Sequence, residues 1–146
     1  MRTANDMYNY CIENDLGKGT SKKMAIKHFK SIEDTLMKDE EVLTAFMGLH
    51  NFVSLTKHEN NYAYVVTNKR IIMAQKKLIA GETVKIVLLH LLNDISLETA
   101  TGKGLVMNGV LTFDTIKETF NVMVGAKQGR KILNEVQQIL IDTKTS

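Results

Sequence analysis

The chain has no proline and no tryptophan, and it holds a single cysteine among 146 residues. With Cys11 alone, no intrachain disulfide can form and no multi-thiolate metal site can be built. A lone cysteine inside an apolar helical pattern reads as a small core residue. The missing proline carries no functional reading. No apolar run approaches the ~18 residues of a membrane span, and the longest, 86–92, is interrupted by His90. Asn5, Asp6 and Asn9 stand where a signal peptide needs its apolar centre, so a cytoplasmic location is the expectation. A formal net charge of +3 is too small to argue nucleic acid by itself.

What remains is ordinary for a globular protein: 44% hydrophobic and 24% charged residues, in a length that suits one domain. Met7, Tyr10, Cys11, Ile12 and Leu16 give a first helical stripe within 1–16. Gly17-Lys18-Gly19 breaks it, and Thr20 or Ser21 is placed to cap a second helix. Ala25, Phe29, Ile32 and Leu36 then share one face of a helix over about 21–37. From Glu41 the period shortens, and strands are expected at 42–50, 62–66, 71–75, 83–89, 95–99, 106–115 and 119–124. Gly109 suggests a bulge or bend. Ile132, Leu133, Val136, Ile139 and Leu140 mark a closing helix over about 127–142.

The sharpest signal is 61–75. Tyr62 to Val66 is almost entirely aromatic or β-branched, Thr67-Asn68-Lys69-Arg70 breaks the run, and Ile71 to Met73 resumes it. Asn68 suits the turn because Asn tolerates φ > 0 and bonds its own backbone. With the 39–43 entry, Asn93-Asp94-Ile95, Gly109 to Phe113 and the last helix, this hairpin resembles the bacterial pleckstrin-homology (PH-like) domains. The likeness is to the YokE-like family found in Firmicutes and their prophages. The resemblance covers about 39–140 and implies a mainly β, α+β fold. That fold is a bent antiparallel PH-like barrel of about seven strands with a C-terminal capping helix, preceded by two N-terminal helices. The expected division is 1–38, a helical extension, and 39–146, the PH-like domain. The resemblance also implies no catalytic residues and no cofactor, and it makes self-association an expectation.

The residues point away from enzyme chemistry too. Gly17-Lys18-Gly19-Thr20-Ser21-Lys22 precedes a helix, but Lys18 is followed by Gly and no strand precedes it, so it is no P-loop. His28, His50, His58 and His90 lie 8 to 32 residues apart without a metal-ligand spacing, and no metal is expected. No Gly-x-Ser-x-Gly elbow is present. Glu33-Asp34 and Asp39-Glu40-Glu41 read as solvated carboxylates, and Lys69-Arg70 as the tip of a surface turn. His28 reads as a boundary residue of its helix.

Charge is more telling. Between Leu16 and Ile32 there are five lysines (Lys18, Lys22, Lys23, Lys27 and Lys30) and no acid. Such a helix can lie on an anionic membrane, or it can dock by its apolar stripe with a solvated lysine face; the stripe, with one Phe and no Trp, favours docking. Lys57, Lys69, Arg70, Lys76 and Lys77 cluster near hairpin ends, where eukaryotic PH domains hold phosphoinositide phosphates. Asn68 spoils the Lys/Arg-x-Arg pattern that such binding wants. Lys127, Arg130 and Lys131 oppose the dipole of the last helix, a cost that an anion or an acidic surface would remove.

The expectation is therefore a non-catalytic interaction module, a phage or prophage accessory protein. It would bind a protein partner, such as a host protein, or assemble with itself, using Lys57, His58, Lys69, Arg70, Lys76 and Lys77. The alternative is peripheral binding to anionic lipid through Lys18, Lys22, Lys23, Lys27 and Lys30, with Lys127, Arg130 and Lys131 as further anion contacts. Nucleic-acid binding ranks third.

Overall fold

A computed structural model describes residues 1–19, 21–51, 61–101 and 107–145. Two helices come first, α1 (Ala4–Glu13) and α2 (Lys22–Glu33). Each starts at a hydroxyl cap: Thr3 accepts the Asp6 amide, and Ser21 accepts the Met24 amide. Seven strands follow: β1 (Val42–His50), β2 (Asn61–Thr67), β3 (Arg70–Lys76), β4 (Glu82–Leu88), β5 (Leu92–Thr101), β6 (Met107–Thr115) and β7 (Thr119–Gly125). The chain closes with α3 (Ala126–Thr145).

The strands form one antiparallel sheet in the order β4-β3-β2-β1-β7-β6-β5, curled into a half-barrel. β1 pairs with β2 along its length but with β7 only at Leu49↔Met123 and His50↔Val122. Where β7 has parted from β1, the α1–α2 connection takes its place, and the Met47 amide donates to the Leu16 carbonyl at 3.1 Å. A three-residue 3-10 turn, Leu89–Leu91, joins β4 to β5. These strands end the sheet on its two sides.

Alternation along the strands sends one set of side chains into the half-barrel. There Phe46 stacks on Tyr64 with centroids 4.9 Å apart, and Phe113 on Phe120 at 4.7 Å. α3 adds Ile132 and Val136 to that interior. The opposite set includes Ala45, Met47, Ala63, Val65, Ile72 and Ala74, and these are also buried. β2 is buried at every position because both faces of the sheet are covered. α1 and α2 supply the second cover, adding Met7, Cys11, Ala25, Phe29 and Ile32 to the same core. The N-terminal helices thus pack on their own barrel.

Three local expectations change. α2 ends at Glu33, short of the expected 37. Gly109 stays in register with Thr99 and Val124, so there is no bulge; a Cβ there would lie 3.2 Å from the Ala126 Cα, and the glycine makes room for α3. Asn68 is not among the positive-φ residues, and its carboxamide oxygen instead accepts the Glu41 amide at 3.0 Å.

Candidate binding surface

The basic residues near the hairpin ends separate into two groups. Arg70 opens β3 and Lys76 closes it, so they stand about 20 Å apart at the usual strand rise. At the first end the Arg70 side chain is 8% exposed, and its guanidinium donates to both oxygens of Glu40, from Nε at 2.9 Å and Nη2 at 2.8 Å. Nη2 also reaches the Thr35 carbonyl at 2.9 Å, and the Thr67 hydroxyl donates to Glu40 at 2.6 Å. Burial alone would push the Glu40 carboxyl up; hydrogen bonds from Arg70 and Thr67 outweigh it and hold the group at about 2. Arg70 is therefore a buried clamp, not the tip of a surface turn. Glu40, 2% exposed, is the corresponding correction to the solvated acid expected there. Lys69 is paired with Asp39 at 3.0 Å.

The other end of β3 is different. His28 is buried, and its Nδ1 accepts the Lys76 amide at 2.8 Å, tying α2 to the end of the strand. Burial pushes the His28 imidazole down. Ser31, one helical turn further on, donates to Glu82 at the start of β4. Because Thr35 meets Arg70 and His28 meets Lys76, α2 runs antiparallel to β3. Its first turns, with exposed Lys23 and Lys27, therefore continue past the strand toward the 77–81 connection. That connection is pinched by a Lys77 amide to Gly81 carbonyl bond of 3.1 Å, and Gly81 has φ +89. At its tip Leu78 is 85% exposed and Ile79 is 99% exposed. Lys77 is exposed and Lys76 half-buried, and among the described residues no ion pair engages Lys23, Lys27, Lys76 or Lys77.

A second exposed feature is β4. α2 lies over β3 and β2, and on β4 it leaves Ile86 at 45% and Leu88 at 43% exposure. Lys85 lies between Val84 and Ile86 on this edge.

The remaining candidates are spoken for or lie elsewhere. Lys57 and His58 lie outside the described residues. Lys22 stands 5.8 Å from the Tyr8 ring centroid, and Lys30 pairs with Glu33 at 2.8 Å and Asp34 at 3.3 Å. Lys18 is exposed. In α3, Lys127 and Arg130 are exposed, whereas Lys131 meets Asp15 at 3.1 Å. Gln128 and Lys131 together pull the Asp15 carboxyl down. At Lys131, then, the acidic surface expected at this helix start is the chain's own.

The half-barrel interior holds a polar patch among rings. His50 Nδ1 lies 3.1 Å from the Tyr64 hydroxyl, and its ring is 4.5 Å from Tyr62 and 5.6 Å from Phe120. Burial, helped by the charge on Lys85, pushes His50 down to about 4, so it is neutral at pH 7. Tyr62 and Tyr64 are buried barrel-wall residues and present no face for stacking bases. Cys11 is buried, its thiol pushed up to about 12 by burial, which removes it as a nucleophile at neutral pH. Among the described residues no group of three or more His, Cys, Asp or Glu could hold a metal ion. No described helix is long and apolar enough to cross a membrane.

Leu78, Ile79, Ile86 and Leu88 escaped the sequence reading as surface features. The first two carry a weak signal: large apolar residues beside a turn glycine, outside any strand period.

A curled antiparallel half-barrel of seven strands, closed by a C-terminal helix, defines the PH-like class of domain. The bacterial PH domain family matches at residues 36–137, and the chain belongs to it. The family is one of generally non-catalytic modules. Among solved structures, the hSac2 domain from human phosphoinositide phosphatase Sac2 is similar at 14% identity with a TM-score of 0.53. That match covers 87% of this chain and 85% of that one. A pleckstrin homology domain from Shewanella amazonensis SB2B is 17% identical with a TM-score of 0.49, over 80% of this chain and 94% of that one. A DUF1696 family protein with a pleckstrin-homology domain from Shewanella loihica PV-4 is 16% identical with a TM-score of 0.48, over 78% and 87%. At these identities the likeness concerns the fold. No curated protein matches the chain.

Proposed function

We propose that this protein is a non-catalytic docking module that takes up an extended segment of a protein partner as an added strand along β4. The observation that carries this reading is the half-exposure of Ile86 and Leu88 on a terminal strand that α2 leaves uncovered. A terminal strand offers a row of backbone donors and acceptors to an incoming chain. β5, the other terminal strand, is the less open of the two, because α3 packs on it and Lys144 donates to the Leu92 carbonyl at 2.8 Å. Lys85 discourages indiscriminate pairing and favours an occupant with an acidic residue between apolar ones. A host protein bound by a prophage product is the biological setting that fits the sequence resemblance.

The test compares wild type, I86K/L88K and K76E/K77E as bait at about 0.1 and 0.5 M salt, on either side of strong screening. A stoichiometric partner captured by wild type and K76E/K77E, but lost with I86K/L88K, supports the reading. Capture that is indifferent to I86K/L88K would overturn it. So would a defined self-assembly that I86K/L88K dissolves, because the occupant would then be a second copy.

A further inference from the structure

The free edge of β4 has a fixed phase. In an antiparallel pair, residues that exchange backbone hydrogen bonds alternate with residues that do not. The Lys77 amide donates to the Gly81 carbonyl, and the Leu89 amide to the Lys69 carbonyl, both at 3.1 Å. These two bonds bracket the β3–β4 ladder and agree in phase. Thr83, Lys85 and Val87 therefore spend their backbone groups on Gln75, Met73 and Ile71. Those of Val84, Ile86 and Leu88 point the other way, off the end of the sheet, where β4 has no described neighbour. The side chains follow the same alternation. Ile86 and Leu88 stand opposite Ile72 and Arg70, on the face that carries α2. Lys85 stands opposite Met73, which faces Tyr64 across the ladder, so it lies on the half-barrel side.

Resting on the added-strand reading of β4, we infer that the partner's segment is acidic, runs antiparallel to β4 and locks in one register. Apolar residues of the segment lie opposite Val84, Ile86 and Leu88, an acid lies opposite Lys85, and further acids follow at its C-terminal end. Antiparallel pairing is the more stable arrangement, and it gives both backbone groups of Ile86 to a single residue of the occupant. A slip by one residue would turn the acid onto Ile86 and Leu88 and an apolar side chain onto Lys85, so the register is strongly specified. Charge sets the direction. Beside Leu88, Arg70 is paired with Glu40 and Lys69 with Asp39. Beside Glu82, Lys27, Lys76 and Lys77 enter no ion pair among the described residues, and Glu82 itself is engaged by Ser31. An antiparallel occupant ends beside Glu82, so acids at its C-terminus meet those lysines. Directed backbone groups at strand spacing are answered by another backbone, which makes the occupant a polypeptide.

The experiment measures binding of synthetic peptides to the full chain by fluorescence polarisation. The probe is as long as β4 and alternates Val with Thr. It has Glu between the Val residues meant for Ile86 and Val84, and a pair of Glu at its C-terminus. Wild type is expected to prefer it about five-fold or more over the same peptide with Lys at the central Glu, and K85E to reverse that order. The reversal also shows that K85E folds. Shifting the pattern by one residue should cost about ten-fold or more. Moving the terminal Glu pair to the N-terminus should cost a few-fold. K76E/K77E should cost the original probe the same few-fold and still bind it, as expected of rim charges. I86K/L88K should bind none of the peptides. The inference is overturned if K85E leaves the preference unmoved, or if the Glu pair works as well at the N-terminus. Peptides all bound alike and all lost with I86K/L88K would leave the added-strand reading standing and overturn the acidic register alone. Binding of no peptide also overturns it, and capture with I86K/L88K then decides the added-strand reading separately. Self-association that no peptide displaces overturns it too, since a second copy would then fill the edge.

Discussion

Removing the guanidinium of Arg70 would leave the Glu40 carboxylate inside the protein with only the Thr67 hydroxyl and the Met37 amide to hold it. An unpaired buried charge is costly, so Arg70→Met is expected to lower stability by about 3–5 kcal/mol. Removing both charges in R70M/E40M takes away the need for compensation, and most of that loss should return. Urea unfolding at pH 7 checks both; a double variant as unstable as R70M would assign the cost to the lost Thr35 contact. Lys69, next in the chain, is expected to matter far less, because its pair with Asp39 is exposed. Nothing in the local sequence separates these neighbours: Lys69 and Arg70 read alike as turn residues until the distant Glu40 is placed. The same limit applies to His28, which sits where the helical stripe meets the polar face. Its buried acceptor role depends on Lys76, and no periodicity reveals that.

At the scale of elements, strand and helix order was legible because hydrophobic periodicity changes cleanly from 3.6 to 2 near Glu41, and turn chemistry punctuates the rest. Two features were not. The β4 edge and the 77–81 tip look like any strand and turn, since exposure depends on where α2 crosses the sheet. The docking of α1 and α2 on the outer face depends on contacts far apart in sequence: Tyr10 donates to Glu135 at 2.6 Å, Thr44 also donates to that carboxylate, and Asp15 meets Lys131. The connection between the helices is itself shaped to β1. Gly17 has φ +104, and a Cβ there would lie 2.0 Å from the Met47 carbonyl oxygen. Alanine would have to move backbone on one side or the other, and the left-handed conformation alone costs about 1–2 kcal/mol. Gly17→Ala is therefore expected to lower the unfolding midpoint by clearly more than that strain alone, while Gly81→Ala, with nothing within 4 Å of its Cβ, should show only the strain.

For the whole molecule, acid is the condition that tests how these parts sum. His50 is pushed from its ordinary 6.5 down to about 4, and His28 is pushed down as well, both chiefly by burial. The unfolded chain therefore binds protons that the folded one refuses between about pH 6.5 and 4, and stability falls as pH falls through that window. Glu40 acts in a lower one. Its carboxyl is held at about 2 against an ordinary 4.5, so its contribution is complete above the higher value and is lost as pH drops toward the lower. Asp15, Glu33 and Asp39 are pulled down too, but they are largely solvent-screened and should add little. Urea midpoints are thus expected to decline in two stages, from neutral to about pH 4 and again below it. In H28Q/H50Q the glutamines preserve an acceptor at each site without the titration. The first stage should flatten in that variant while the second persists. A first stage that survives unchanged would place the acid sensitivity on groups other than these two histidines.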